Sequence, residues 1–350
     1  MTARNWRLKD RFEASAFLMQ LPSVMNMTST SSASCVLVID FTDAQAALGF
    51  VTPAFYNIER TVYQRKYPNF DYASLIPVVT EGSEWARGTL FRSSDAAGKA
   101  EFLSGKGFDM PYADVTRDQF LKGFELAGIG YEWSLEELQV AALEGRQLGP
   151  EKGEAARSIA EQFLWTTAMT GQAEKGWTGL VNDPTVPATT AAATGTGSTT
   201  TWSTKTPEQI LVDINSAIEG IVTSTQEVEM ADTILLPFSR FNAIATRPIG
   251  NAADKTIATF LRENNTYTSE TGRPLTIRTL RALNTAGSGG TARMVAYRRD
   301  PEVVRFHLPM PHRFLPPFQK SSMTWEVAGI LRTGGTEIRL PKAVSYIDGI

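Results

Sequence analysis

The acidic pairs Glu136–Glu137, Glu151–Glu154 and Glu227–Glu229 are the side chains here best suited to acid–base chemistry. Two carboxylates of that kind, one protonated and one ionised, are what hydrolysis of a glycosidic bond needs. Their setting points elsewhere. The first two pairs fall at predicted helix starts, where the backbone dipole favours negative charge, and the third falls in a polar turn. His307 and His312, the two histidines, lie in F-H-L-P-M-P-H-R-F-L-P-P-F, separated by two prolines. That is not a helical i, i+4 pair, and two imidazoles alone do not complete a metal site. Cys35, the single cysteine, allows neither an intrachain disulfide nor a cysteine zinc cluster, and no G-x-S-x-G frames a nucleophilic serine. Gly195-Thr196-Gly197-Ser198 and Gly287-Ser288-Gly289-Gly290 resemble phosphate loops only in glycine content, since neither continues into Gly-Lys-Ser/Thr. The expectation is a chain with no catalytic, cofactor-binding or metal-binding residues.

The charge balance narrows the partners. With 34 Lys and Arg against 37 Asp and Glu, the net charge is -3. A dedicated nucleic-acid binder draws its affinity from a basic excess. Contact with DNA is therefore expected to be weak and independent of sequence. Arg60, Arg65 and Lys66 interleave with Tyr63 and Tyr67, but Asp71, Glu81 and Glu84 follow, which suits a solvated or inter-subunit surface. No secretory leader is expected from the N-terminal residues, where Asp10 and Glu13 interrupt the basic positions, and no run of roughly 20 apolar residues occurs in the sequence, so no membrane partner is expected. Trp85, Trp177 and Trp202 fall in loop-like contexts and are candidate anchors for a partner surface. Arg87, Arg92, Lys99 and Lys106 join them as candidate interface residues.

The elements follow from periodicity and punctuation. Residues 1–60, rich in Ser and Thr between 26 and 34, read as an arm that orders against something else. Residues 83–115 read as a long excursion: Thr89–Arg92 enters, Ser93–Lys99 turns and Ala100–Leu103 returns. Phe120–Trp133 reads as bent strand. Ser134 with Glu137 predicts a capping box on a helix ending at Gly145. A second helix runs from Pro150 to a cap at Gly171, with Ala156, Ile159, Ala160, Phe163 and Thr167 on one face. Ala188–Thr201 reads as an exposed low-complexity loop. Thr206, Pro207 and Gln209 open a helix whose inner stripe is Ile210, Ile214, Ala217, Ile218 and Ile221. Strands are expected at 233–236, 275–283 and 293–298, and helices near 239–246 and 255–262. A C-terminal hairpin is expected, running from Met323 to Leu331, turning at Gly334-Gly335 and returning through Ile338 and Leu340.

The segments Y-E-W-S-L-E-E-L-Q-V-A-A-L-E-G-R-Q-L (131–148), E-A-A-R-S-I-A-E (154–161) and G-W-T-G-L-V-N-D-P-T-V (176–186) resemble the tailed-phage major capsid proteins of the Hong Kong 97-type fold, an encapsulin-related superfamily. The resemblance is specific over 131–186 and architectural over about 75–350. It implies an α+β fold with an N-terminal arm (1–60), an extended loop (83–115) and a spine helix (150–170). It also implies a peripheral domain (61–177 and 306–350) and an inserted axial domain (178–305). The function implied is self-assembly, through pentamers and hexamers, into an icosahedral shell around double-stranded DNA, formed in the host bacterial cytoplasm. Portal, scaffolding and decoration proteins are the implied partners. No lysine can be matched to a cross-linking position, so covalent linkage is not implied. Two other readings stay open on sequence: an encapsulin-type protein compartment, and a hydrolase with residues 93–109 as a lid.

Overall fold

The computed structural model describes residues 70–102, 110–145, 147–250 and 255–350. The expected arm, Cys35 and the basic cluster at 60–66 lie outside them, as does Lys106.

The order of elements is mixed α+β. Strands β1 (Val78–Val79), β2 (Gly88–Ala97), β3 (Asp114–Gly123), β4 (Glu125–Gly128) and β5 (Tyr131–Ser134) come first. Helices α1 (Leu135–Glu144) and α2 (Leu148–Met169) follow, then β6 (Gly171–Gln172), β7 (Trp177–Thr178) and β8 (Ala188–Thr190). Next come α3 (Pro207–Ser224), β9 (Thr233–Leu236), α4 (Phe238–Thr246), α5 (Ile257–Glu263) and α6 (Thr266–Thr271). The chain continues through β10 (Thr276–Thr279), β11 (Arg293–Tyr297), β12 (Val304–His307) and β13 (Met310–Phe314). It ends with β14 (Phe318–Ser321), β15 (Thr324–Val327), β16 (Gly329–Thr333), β17 (Gly335–Ile338) and β18 (Val344–Asp348).

The caps read from sequence form as expected. Ser134 accepts from the Glu137 amide while the Glu137 carboxylate accepts from the Ser134 amide. Thr206 and Gln209 do the same for α3, with Pro207 in its first turn. The α3 stripe of Ile210, Ile214, Ile218 and Ile221 is fully buried, worth about 6–12 kcal/mol before the cost of ordering is subtracted.

The largest sheet runs β10-β9-β11-β18-β8, with β10–β9 and β18–β8 parallel and the inner pairs antiparallel. Its central strands β9, β11 and β18 are buried on both faces. Ile234, Leu236, Met294, Ala296 and Ile347 face the cluster beneath α3–α5. Leu235, Val295, Tyr297, Val344 and Tyr346 face the cluster around α2, which also takes Leu164, Phe306 and Leu331. Burial on both faces erases the polar alternation that would otherwise mark these strands.

Several expectations are corrected. The C-terminal hairpin does not form: β16 pairs with β13 and β4, while β17 pairs with β12. Gly334 packs so tightly on Phe124 and His307 that an added Cβ would lie 2.5 Å from the Phe124 ring, and Gly335 takes φ +71°. The turn therefore swings the chain into another sheet. Residues 93–97, expected to turn, extend β2, and the return strand is β3. The Ala-Thr-Gly-Ser segment is not a free loop, because β8 edges the large sheet and Ala191 is buried. Strand β10 spans only 276–279 of the expected 275–283, and a 3₁₀ turn follows at Arg281–Asn284. The last strand, β18, pairs with β11 and β8 in the large sheet.

Candidate assembly interface

A monomer rarely keeps a long strand pair without burying one side of it. Strands β2 and β3 pair over ten positions, from Gly88↔Gly123 to Ala97↔Asp114, and form a sheet of their own. Nearly every residue in them is exposed, including Leu90, Val115, Phe120 and Leu121. Phe102, Met110 and Tyr112, towards the tip, are exposed as well. A two-stranded ribbon with this much apolar side chain in water is an incomplete structure.

Among the described residues, only the base of the ribbon is fastened to the rest of the subunit. The Arg339 guanidinium stacks over Phe91 at 4.2 Å, and Phe91 stacks on Phe120 with ring centroids 5.0 Å apart. Lys122 Nζ donates to the Thr336 carbonyl at 3.1 Å and lies over the Trp177 ring. Burial lowers the Lys122 ammonium pKa, with Glu337 and Asp183 opposing the effect. Arg332 donates to the Ala86 carbonyl at 2.9 Å and covers Trp85. These cation–ring contacts hold the stem and leave the blade bare.

Helix α1 is equally under-used. Among its residues only Ala141 is buried, while Leu135, Leu138, Val140 and Leu143 are exposed. The inward face of α2 is Ala156, Ala160, Leu164, Thr167, Ala168 and Met169. Ile159 and Phe163, expected on that face, are exposed. Small residues inward let the helix approach the sheet closely and turn its larger apolar groups outward.

The segment after α2 carries the strongest sequence signal and proves to be a joint. Helix α2 ends at Met169, and Gly171 adopts φ +74°, where an added Cβ would lie 2.2 Å from the Trp177 carbonyl oxygen. Gly179 is pressed against the helix end, with room for no Cβ beside the Met169 carbonyl. Leu180 and Val181 amides donate to the Ala168 and Met169 carbonyls, which helix geometry leaves without partners. Asn182 bridges the turn, accepting from the Gly179 amide and donating to the Thr170 carbonyl, both at 2.7 Å. Tyr346 donates to the Leu180 carbonyl at 2.6 Å, and Arg293 donates to the Val181 carbonyl at 2.6 Å. Arg293 also holds Asp348 through both carboxylate oxygens. Burial raises the Asp348 carboxyl pKa, but Arg293 and the Ser288 amide outweigh it and hold the group below its usual range.

The candidate interface residues separate by exposure. Trp85, Arg87, Arg92 and Lys99 are exposed on or beside the ribbon, and Trp177 is half-buried beneath Lys122. Trp202 is a correction. It is 0% exposed, with its indole N–H donating to Asp213 at 2.9 Å beside the buried Lys205 ammonium. It anchors its own subunit, because a loop residue facing α3 can complete a core as readily as a helix residue can.

Several of the groups weighed for chemistry have structural partners. His307 Nε2 lies 2.8 Å from Glu337, which also accepts from Arg339. Burial raises the Glu337 carboxyl pKa, but its hydrogen bonds with His307 and Arg339 outweigh it and leave it lowered. His312 packs edge-on against Phe314. Glu137 caps α1 and pairs with Lys152, and Glu229 pairs with Arg298. Ser288 in the second glycine loop donates its amide to Asp348. Among the described residues no group of three or more His, Cys, Asp or Glu could hold a metal, and no helix is long and apolar enough to cross a membrane.

Sequence reasoning missed Phe91, Lys122, Arg332 and Arg339. Phe91 and Phe120 become visible as partners only once residues 93–97 are read as strand.

The fold has close counterparts. The capsid of Myoviridae phage XM1 superposes with a TM-score of 0.71 at 16% identity, covering 85% of this chain and 98% of that one. The native GTA particle capsid gives 0.58 at 9% identity, covering 88% and 99%. The structure from Gordonia phage Cozz gives 0.52 at 14% identity, covering 91% and 99%. No curated protein sequence matches. These likenesses give the fold, the Hong Kong 97-type capsid fold, with an α+β mixture of elements. The family model described as major capsid protein matches residues 98–350, and the chain therefore belongs to the major capsid protein family.

Proposed function

We propose that this major capsid protein is the repeating subunit of the icosahedral shell of a tailed phage, assembled in the host bacterial cytoplasm through pentamers and hexamers around double-stranded DNA. The observation that carries the proposal is the β2–β3 ribbon, whose apolar side chains have no partner within the described subunit beyond its base. A repeated heterologous contact closes into rings, and many modest contacts acting together close a shell. In this reading α2 is the spine of a peripheral domain built from 61–177 and 306–350, and 178–305 supplies the axial domain. Residues 1–60 act as the arm. The near-neutral charge suits DNA that is enclosed without sequence-specific contact. Portal, scaffolding and decoration proteins complete the particle, and the chain itself performs no catalysis. The encapsulin-type compartment is not favoured over the phage shell. The lid of the hydrolase reading loses its premise, since residues 93–97 pair with 114–118 as strand.

Size-exclusion chromatography with negative-stain imaging of the full-length protein tests this. Rings or closed particles are expected. A lone monomer peak at every concentration and ionic strength would overturn it.

A further inference from the structure

Strand β9 has unlike surfaces at its two ends. Before it, Met230 and Asp232 line a cleft of about 770 Å³, with Val222 and Tyr267 adding to its apolar wall. Five carboxylates and three guanidiniums line the cleft, so it is negative on balance. Arg298 is taken up by Glu229 and Asp300, and the Arg299 guanidinium donates to the Ala73 carbonyl at 2.9 Å. The side chains of Glu227, Glu270 and Arg273 are exposed and have neither ion pair nor hydrogen bond among the described residues. The rim is strained, with Gln226 at φ +55° and Glu227 at φ +65°, a conformation that glycine adopts at less cost. The Glu227 amide donates to the Val222 carbonyl at 2.8 Å, which fixes this residue at the cleft.

After β9, helix α4 opens with Phe238-Ser239-Arg240. Phe238 is 67% exposed. Arg240 is half-buried, its Nε has no hydrogen-bond partner, and no carboxylate among the described residues pairs with it. Burial lowers its pKa with no acid to offset the effect. An unmatched, half-buried cation near a bare phenyl ring marks a surface whose partner is another molecule. From Asp232 to Phe238 the extended chain spans about 20 Å, so one copy cannot bring the start of α4 into its own cleft.

We propose that Phe238 and Arg240 of one copy enter the cleft of a second copy, the ring against Val222, Met230 and Tyr267 and the guanidinium against Glu227 and Glu270. The inference rests on the shell reading and adds to it a contact made without the ribbon. Complementary surfaces at opposite ends of one strand meet head to tail, and such a contact repeated about an axis closes a ring. The aromatic side chain leaves water for an apolar wall, and the guanidinium gains the carboxylates it lacks within its own chain. Nucleic acid suits the cleft poorly, because carboxylates outnumber guanidiniums there.

The test uses the full-length chain. Phe238→Ala and Arg240→Leu are each expected to lower the particle fraction in gradient sedimentation at least about tenfold. Both should leave the melting temperature of the unassembled subunit within a few degrees of the parent, since one side chain is exposed and the other unmatched. Contact is read directly in a Cys35→Ser background carrying Val228→Cys and Ser239→Cys, with assembled particles treated with a short bis-maleimide. A ladder of dimers and higher rungs is expected on a denaturing gel. Ala155→Cys with Ser239→Cys, a control on α2, is expected to give at least about tenfold less. If a variant melts early, the ladder is read in its place. Particles at parent yield in both variants, or particles of the 228/239 chain that give no ladder, would overturn this assignment and leave the shell intact. Absence of parent particles would instead bring down the shell reading and this inference together.

Discussion

Arg293 shows how much one side chain can join. It pairs with Asp348, reaches the Val181 carbonyl after α2 and stacks on the Tyr346 ring at 4.5 Å. Removing it leaves the Asp348 carboxylate buried without its cation. Arg293→Ala is expected to cost about 3–5 kcal/mol, measured by urea denaturation of the unassembled subunit. A change within about 0.5 kcal/mol would mean the joint is held by its backbone hydrogen bonds alone. None of this network was legible in the sequence. The partners of Arg293 lie 55 and 112 positions away along the chain. The glycine-rich motif before it was legible as a motif but not as a cap on the helix end.

At the scale of elements, local chemistry was read well and long-range pairing poorly. The boxes at Ser134 and Thr206 are set by four neighbouring residues, and both form as expected. Thr206→Ala should lower stability by about 1 kcal/mol, measured by thermal melting, with no change in particle yield at temperatures where the subunit is folded. An unchanged melting temperature would show α3 to be held entirely by its isoleucine stripe. The failures have one cause. Gly334-Gly335 looked like a hairpin turn because turn chemistry is local, whereas the partner of β17 is β12, which no local signal names. Ile159 and Phe163 looked inward because apolar periodicity does not say which apolar face meets the core. In a subunit made to meet copies of itself, a helix can have two apolar faces. Trp202 erred in the opposite direction, taken for surface from its polar neighbours and found in the core.

At the scale of the whole molecule, stability against pH follows from the buried titrating groups. Asp348 and Glu337 have lowered pKa values in the fold. Their contribution is therefore complete above the unfolded carboxylate range near about 4 and is lost as pH falls through their lower folded values. Tyr72, pushed up to about 12 by burial and by Glu161, works in the other direction. Burial likewise raises Tyr297 and Tyr346, which donate to the Leu75 and Leu180 carbonyls. Tyrosine stabilisation is present below pH about 10 and lost above it. Denaturant midpoints across pH 2–12 are expected to form a plateau that falls at both ends. A midpoint that stays flat into the alkaline end would show that these phenols ionise without cost.

The central claim is that the ribbon contributes to contacts between copies and little to its own subunit. Gly88 and Gly123 are directly paired, so a short glycine-containing turn can join them and remove the ribbon beyond. The decisive measurement is sedimentation of that shortened chain beside the parent, with the melting temperature of the unassembled subunit recorded for both. The account predicts a melting temperature within a few degrees of the parent and no particles. Particles of normal size and yield from the shortened chain, or a subunit that no longer folds, would contradict it.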